Sequence, residues 1–154
     1  MNLTANFSLH ELTKSETALR LNLDNTPGPV ETEYLKLLAE NVLQPIRDHF
    51  QKGVKVNSGF RSIETNQATG GSSKSDHCKG QAADIEIPGV ANADLAQWIM
   101  DNLDYTQLIL EFYTPGIPDS GWVHVSYDPE NLKKQELTAM KVAGKTQYVP
   151  GLVA

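Results

Sequence analysis

The chain has a single cysteine, Cys78, so no internal disulfide can form and the fold does not depend on an oxidising compartment. It has no basic excess: 13 Lys and Arg stand against 19 Asp and Glu, for a net charge of -6. Without a basic footprint, nucleic acid is excluded as the main partner. No apolar stretch approaches the roughly 18–20 residues that cross a bilayer, so no membrane insertion is expected. The opening Met1–Phe7 lacks a basic start followed by an apolar run, so no signal peptide is expected. Repeats, low-complexity tracts and linkers are also missing. What is present is 154 residues, 40% hydrophobic and 21% charged. The expectation is one soluble globular domain over 1–154, monomeric by default, with a real core.

The pattern along the chain predicts helices first and strands later. Ser8-Leu9-His10-Glu11 has the spacing of a capping box, and a second short helix is expected near Ser15. Asp24 to Pro29 reads as a loop. From Glu31 to Phe50 the apolar residues Leu35, Leu38, Ala39, Val42, Leu43, Ile46 and Phe50 recur at helical spacing, with Pro45 expected to kink or divide the helix. Val54–Ser58 alternates as a strand, Ser62–Ala68 reads as a short helix, and Thr69–Lys74 as a flexible loop. Strands are expected over Ala82–Ile87, Gln107–Phe112 and Trp122–Tyr127, and Asn92 is expected to cap a helix running to Leu103. Asp128-Pro129 looks like a helix start, and the tail suggests a hairpin around Ala143-Gly144-Lys145. The class is α+β, with N-terminal helices on a mostly antiparallel sheet.

Chemistry concentrates in Ser75-Asp76-His77-Cys78-Lys79-Gly80-Gln81-Ala82-Ala83-Asp84 and in Gly121-Trp122-Val123-His124. His77, Asp84 and His124 make a three-ligand set. Two imidazoles and a carboxylate suit zinc, and three protein ligands leave the fourth tetrahedral position to water, which points to metal-assisted hydrolysis. Alternation across the strands puts Asp84, Glu111 and His124 on one face and the apolar residues on the other. If residues 113–121 fold back near Ile117, Glu111 lands across from Trp122–His124, where a non-ligating carboxylate can move the proton of the attacking water.

These residues resemble the M15 family of zinc D-Ala-D-Ala carboxypeptidases and related peptidoglycan peptidases. The family pattern S-x-H-x-x-G-x-A-x-D, followed by W-x-H, stands here as Ser75, His77, Gly80, Ala82, Asp84, Trp122 and His124. Ser58-Gly59-Phe60-Arg61-Ser62 is similar to the S-G-[YF]-R-S segment, and Phe7–Leu12 with Ser15–Ala18 resembles a phage-rich subgroup. The resemblance implies a Hedgehog/D,D-peptidase-like fold, with zinc held by His77, Asp84 and His124. It implies hydrolysis of an amide bond in the peptidoglycan stem peptide. It implies a place in the site for Arg61, on an oxyanion or a substrate carboxylate, and a ligand-orienting or substrate-binding role for Ser75. Trp122 is either a packing residue or a substrate wall. Many relatives carry the catalytic acid three residues before the last histidine, and that position here is Gly121. The base must then be Glu111, which strand alternation favours, or Asp119; Glu86 is a third carboxylate on the same face.

The expected function is a phage endolysin made in the host cytoplasm and acting on the wall in the periplasm after holin-type release. The alternatives are a bacterial carboxypeptidase that trims terminal D-Ala, and a zinc-stabilised binding module without catalysis. Cys78, His10 and His49 are expected to be inert packing or surface residues.

Overall fold

Two serines begin the first helices, as their spacing predicts. Ser8 Oγ accepts from Glu11 N (3.1 Å) while Glu11 Oε1 accepts from Ser8 N (3.4 Å), and this reciprocal box starts α1 (Leu9–Thr13). Ser15 Oγ accepts from Ala18 N and starts α2 (Glu16–Arg20). The long apolar helix begins earlier than Glu31, at Pro29, which suits a first helical residue because its missing N–H has no partner there anyway. It is divided as Pro45 demands. α3 (Pro29–Leu38) passes into a π-helical turn (Ala39–Leu43) and then α4 (Gln44–Phe50). Pro45 brings no N–H to the turn before it, and the wider turn, with Gln44 N on Ala39 O, absorbs the mismatch.

The computed structural model describes residues 1–72 and 75–153. After α4 come β1 (Lys55–Ser58), α5 (Ile63–Ala68), a 3-10 turn (Asp76–Lys79), β2 (Ala82–Glu86), α6 (Asn92–Asn102), β3 (Gln107–Glu111), β4 (Trp122–Ser126), β5 (Gln135–Val142) and β6 (Lys145–Pro150). The strands form one six-stranded sheet in the order β1-β2-β4-β3-β5-β6. Every pairing is antiparallel except β3 with β5. This is the α+β class expected, with a tail hairpin turning at Ala143 and Gly144, both at positive φ. Among the described residues no helix is long and apolar enough to cross a membrane.

Alternation sorts the sheet into two faces. Ala83, Ile85, Leu108, Leu110, Val123 and Val125 are fully buried against α3, α4 and α6, where Leu35, Leu38, Ile46, Leu95 and Ile99 meet them. The opposite face carries Asp84, Glu111 and His124, and the functional residues collect there.

Three local expectations are corrected: the strand ends, one cap and one helix start. Ile87, Phe112 and Tyr127 fall outside their strands, Phe112 because its φ of 56° leaves the extended region. Asn92 is the first residue of α6 and not its cap; its side chain bonds Glu86 and the carbonyls of Ser120 and Gly121, tying α6 to the entry of β4. Asp128-Pro129 starts no helix: Asp128 Oδ1 accepts from Glu130 N, and Thr106 Oγ1 donates to Asn131 O, closing a turn that leads into β5. Of the loop expected over 69–74, residues 73 and 74 lie outside the described residues.

Truncating the core where α3 ends should show how far the helices hold the sheet. Leu38→Ala is expected to cost about 2–5 kcal/mol, read as a lower urea midpoint with unchanged slope.

Candidate metal centre

His77 is placed by a short element with a fixed start and stop. Ser75 Oγ accepts from His77 N (3.2 Å) and caps the 3-10 turn. Gly80 ends the turn at φ 76°, where an added Cβ would stand 2.4 Å from the carbonyl oxygen of Glu31. The Ser58–Ser62 segment then clamps His77 from two sides. Its Nδ1 lies 2.7 Å from Gly59 O, and its own carbonyl accepts from Arg61 N at 3.1 Å. A carbonyl only accepts, so the Nδ1 position carries the proton and Nε2 is left with its lone pair toward the cleft.

The other two ligands come from paired strands. Asp84 on β2 is registered directly against His124 on β4. Asp84 Oδ1 lies 2.9 Å from His124 Nδ1, and Oδ2 lies 3.4 Å from His77 Nε2. The donor atoms of the three residues lie within 4.8 Å of one another, and all three side chains are largely buried. A tetrahedral zinc with bonds of about 2.0–2.1 Å spans donors roughly 3.4 Å apart. The donor set, its spacing and its burial therefore fit a zinc ion with one open position.

The electrostatics run in opposite directions for the two acids. Burial works to raise the Asp84 pKa, but once both imidazoles are protonated the hydrogen bonds from His124 and His77 and the charge on both outweigh it, so Asp84 stays far below the usual carboxylate range. Burial pushes Glu111 up, and the charge of Asp84 adds to this; His124, the Trp122 indole and Arg61 only partly oppose them. For His124, burial favours the neutral ring, yet the hydrogen bond and charge of Asp84 and the charge of Glu111 raise its pKa.

Glu111 stands where the fold-back near Ile117 predicts. It is registered opposite Trp122 and accepts from Trp122 Nε1 at 2.7 Å through Oε2. Glu111, Trp122, Arg61, Ser75 and the three ligands line one cleft of about 560 Å³. Arg61 has no carboxylate within ion-pair distance among the described residues, and its buried Nε has no hydrogen-bond partner. Glu86 is held away from the cleft by Asn57 and Asn92. Asp119 is exposed in the β3–β4 loop and does not line the cleft. Burial pushes the Cys78 thiol up, consistent with inert packing.

Gly121 explains why the acid is not on β4. Its φ is 63°, and a Cβ there would sit 1.9 Å from the Glu111 carbonyl oxygen. The two strands approach so closely that position 121 has no room for a side chain, and the carboxylate reaches the same cleft from β3.

Sequence reading missed Tyr148. The parallel pairing of β5 with β3 puts Ala139 beside Glu111, and Tyr148 on β6 beside Ala139, so Tyr148 reaches the edge of the cleft. The hairpin is visible in the sequence; its docking partner is not, because nothing in its alternation says which strand it joins.

Two measurements check this geometry. Gly121→Ala is expected to lose about 2–4 kcal/mol, from left-handed strain plus overpacking, by chemical denaturation. In the metal-free protein, an NMR titration of Glu111 should give a midpoint above 4.5, its ordinary value. Trp122→Phe removes the donor that favours the charged form, so the midpoint should move higher still.

No curated protein matches the chain significantly. A family model described as Peptidase M15 matches residues 5–126, a span that runs from before α1 to the end of β4 and leaves β5 and β6 beyond it. Arg61, His77, Asp84, Glu111, Trp122 and His124 all fall inside the match. The chain belongs to the peptidase M15 family, whose members are zinc-dependent peptidases acting on peptidoglycan peptides.

Proposed function

We propose that this protein is a zinc metallopeptidase that hydrolyses an amide bond of the peptidoglycan stem peptide or its cross-link, and that it serves as a phage endolysin. The observation that carries the catalytic reading is the position of Glu111. A half-buried carboxylate with a raised pKa and no ion-pair partner among the described residues shares a cleft with His77, Asp84 and His124. The endolysin role is supported by the likeness of the α1–α2 segment to a phage-rich subgroup. In that role the protein works as a monomer, reaching the periplasm through a pore opened late in infection.

His77, Asp84 and His124 would hold the zinc, which when bound supplies Lewis acidity toward the scissile carbonyl and the attacking water. Glu111 takes a proton from that water through the carboxylate oxygen not bonded to Trp122. It then delivers the proton to the leaving amine nitrogen as the C–N bond breaks. The Trp122 indole fixes the carboxylate in one rotamer, which shortens the search for that geometry. Arg61 offers forked donors to the charge that builds on the carbonyl oxygen, or to a substrate carboxylate. Ser75 acts by holding His77 in place. Tyr148 and Trp122 wall the cleft on the side of β3.

The test is direct. Zinc-loaded protein is incubated with purified, directly cross-linked peptidoglycan, and the products are identified by mass spectrometry beside a chelated control. New peptides are expected only with zinc, and their termini name the bond. Glu111→Gln is expected to lower turnover by about 10²-fold or more while zinc stays bound. Absence of any zinc-dependent product overturns the reading in favour of a binding module.

Zinc affinity should depend on pH with a defined sign. The metal needs neutral imidazoles, so a proton competes with it below each histidine pKa. Because His124 is raised, competition should begin at a higher pH than for an ordinary histidine. Chelator competition should show affinity level above that range and falling steadily below it.

A further inference from the structure

The metal cleft does not end at Arg61. On the other side of this residue lies a second, larger groove of about 710 Å³, and Arg61 and Thr69 line both cavities. The groove runs between the α1–α2 segment and β1. All four residues of β1, Lys55 to Ser58, line it. Side chains alternate across a strand, so a cavity touched by four consecutive residues follows the strand's edge and not one of its faces. β1 is the edge of the sheet. The space is therefore a trough along the strand's edge, closed on its far side by the α1–α2 segment, of the kind that accepts an extended chain.

Its charge opposes that of the rest of the molecule. The protein carries a net charge of -6, yet among the described residues Lys14, Lys55 and Arg61 line the groove against a single acid, Glu16. These cations are not consumed by the fold. Among the described residues neither Lys14 nor Lys55 has a carboxylate within ion-pair distance. Glu86 is registered opposite Lys55 but bonds Asn57 and Asn92 instead. At the junction of the two cavities, Arg61 Nε is buried without a hydrogen-bond partner among the described residues.

We propose that this groove is a subsite for the carboxylate-bearing arm of the substrate, so that the enzyme prefers acidic, unamidated stem peptides over amidated ones. This rests on the peptidase reading above. A net-negative protein acting on an anionic polymer faces general repulsion, and unpaired cations confined to one trough give that polymer a single favourable approach. An extended peptide whose scissile amide lies at the metal passes Arg61 and runs on along β1, with its free carboxylates beside Lys14 and Lys55. Amidation removes that charge and leaves the shape almost unchanged.

The experiment compares two muropeptides, identical except that one has its side-chain and α-carboxylates amidated, on zinc-loaded wild type and on the Lys14→Gln/Lys55→Gln double variant. Both lysines are exposed, and thermal unfolding verifies that the fold is intact. Wild type should favour the acidic muropeptide by about tenfold in kcat/KM, expressed in KM and weakened by salt. In the double variant, KM for the acidic muropeptide should rise about tenfold, with kcat and all parameters for the amidated one unchanged. Equal use of both muropeptides by wild type, or a double variant indistinguishable from wild type, overturns the proposal while leaving the peptidase reading intact. If wild type cleaves neither, the peptidase reading falls, and equilibrium binding of the same two muropeptides decides. About tenfold weaker binding of the acidic one to the double variant then supports the groove, and equal binding overturns it.

Discussion

The register of β4 between β2 and β3 decides where every reactive group stands. Asp84 faces His124 across one pairing, and Glu111 faces Trp122 across the other. The same register sends Val123 and Val125 into the core. A slip of one residue would turn His124 toward the helices and expose the valines, so burial of the apolar face and assembly of the site are one constraint. Local devices refine that placement. The capped 3-10 turn and the Gly59 carbonyl bring His77 to the pair, and the indole of Trp122 holds Glu111.

Two acids on one face of one sheet are thereby given different tasks. Asp84 sits between two imidazoles and keeps its charge; Glu111 sits in a half-buried pocket facing that charge and holds a proton more readily. The separation comes from neighbours, since both are ordinary carboxylates on extended backbone. Divergent environments for paired titratable groups are how a single cleft provides both a permanent anion and a proton carrier.

What the sequence made legible was whatever short-range physics controls. Period-two alternation put Asp84, Glu111 and His124 on one face, and the turn-rich stretch around Ile117 set the pairing of Glu111 with Trp122. Ser8 and Ser15 marked helix starts through hydrogen bonds spanning three residues, and Pro45 marked the break in the long helix. Long-range docking stayed hidden. The β5–β6 hairpin joins β3 in parallel, and neither its composition nor its turn names that partner. Asn92 and Asp128 have the chemistry of helix caps, but distant groups, Glu86 and Thr106, took part in placing them elsewhere. Gly121 reads in sequence as a missing acid; only the packing shows it as the point where two backbones nearly touch.

The clamp on His77 has a consequence for how such an enzyme can change. The bond from Arg61 N to His77 O and that from His77 Nδ1 to Gly59 O fasten both ends of the intervening chain. Between them lie Thr69, Gly70 and Gly71, which border the cleft, and a Cβ added at Gly70 would meet no described atom within 4 Å. The entropic cost of lengthening a loop whose ends are fastened grows only with the logarithm of its length. Insertions at Gly70 would therefore reshape the mouth of the cleft while the ligand geometry stays insulated. The part of the molecule that meets the variable portion of a substrate is free to diversify, and the part that performs the chemistry is not.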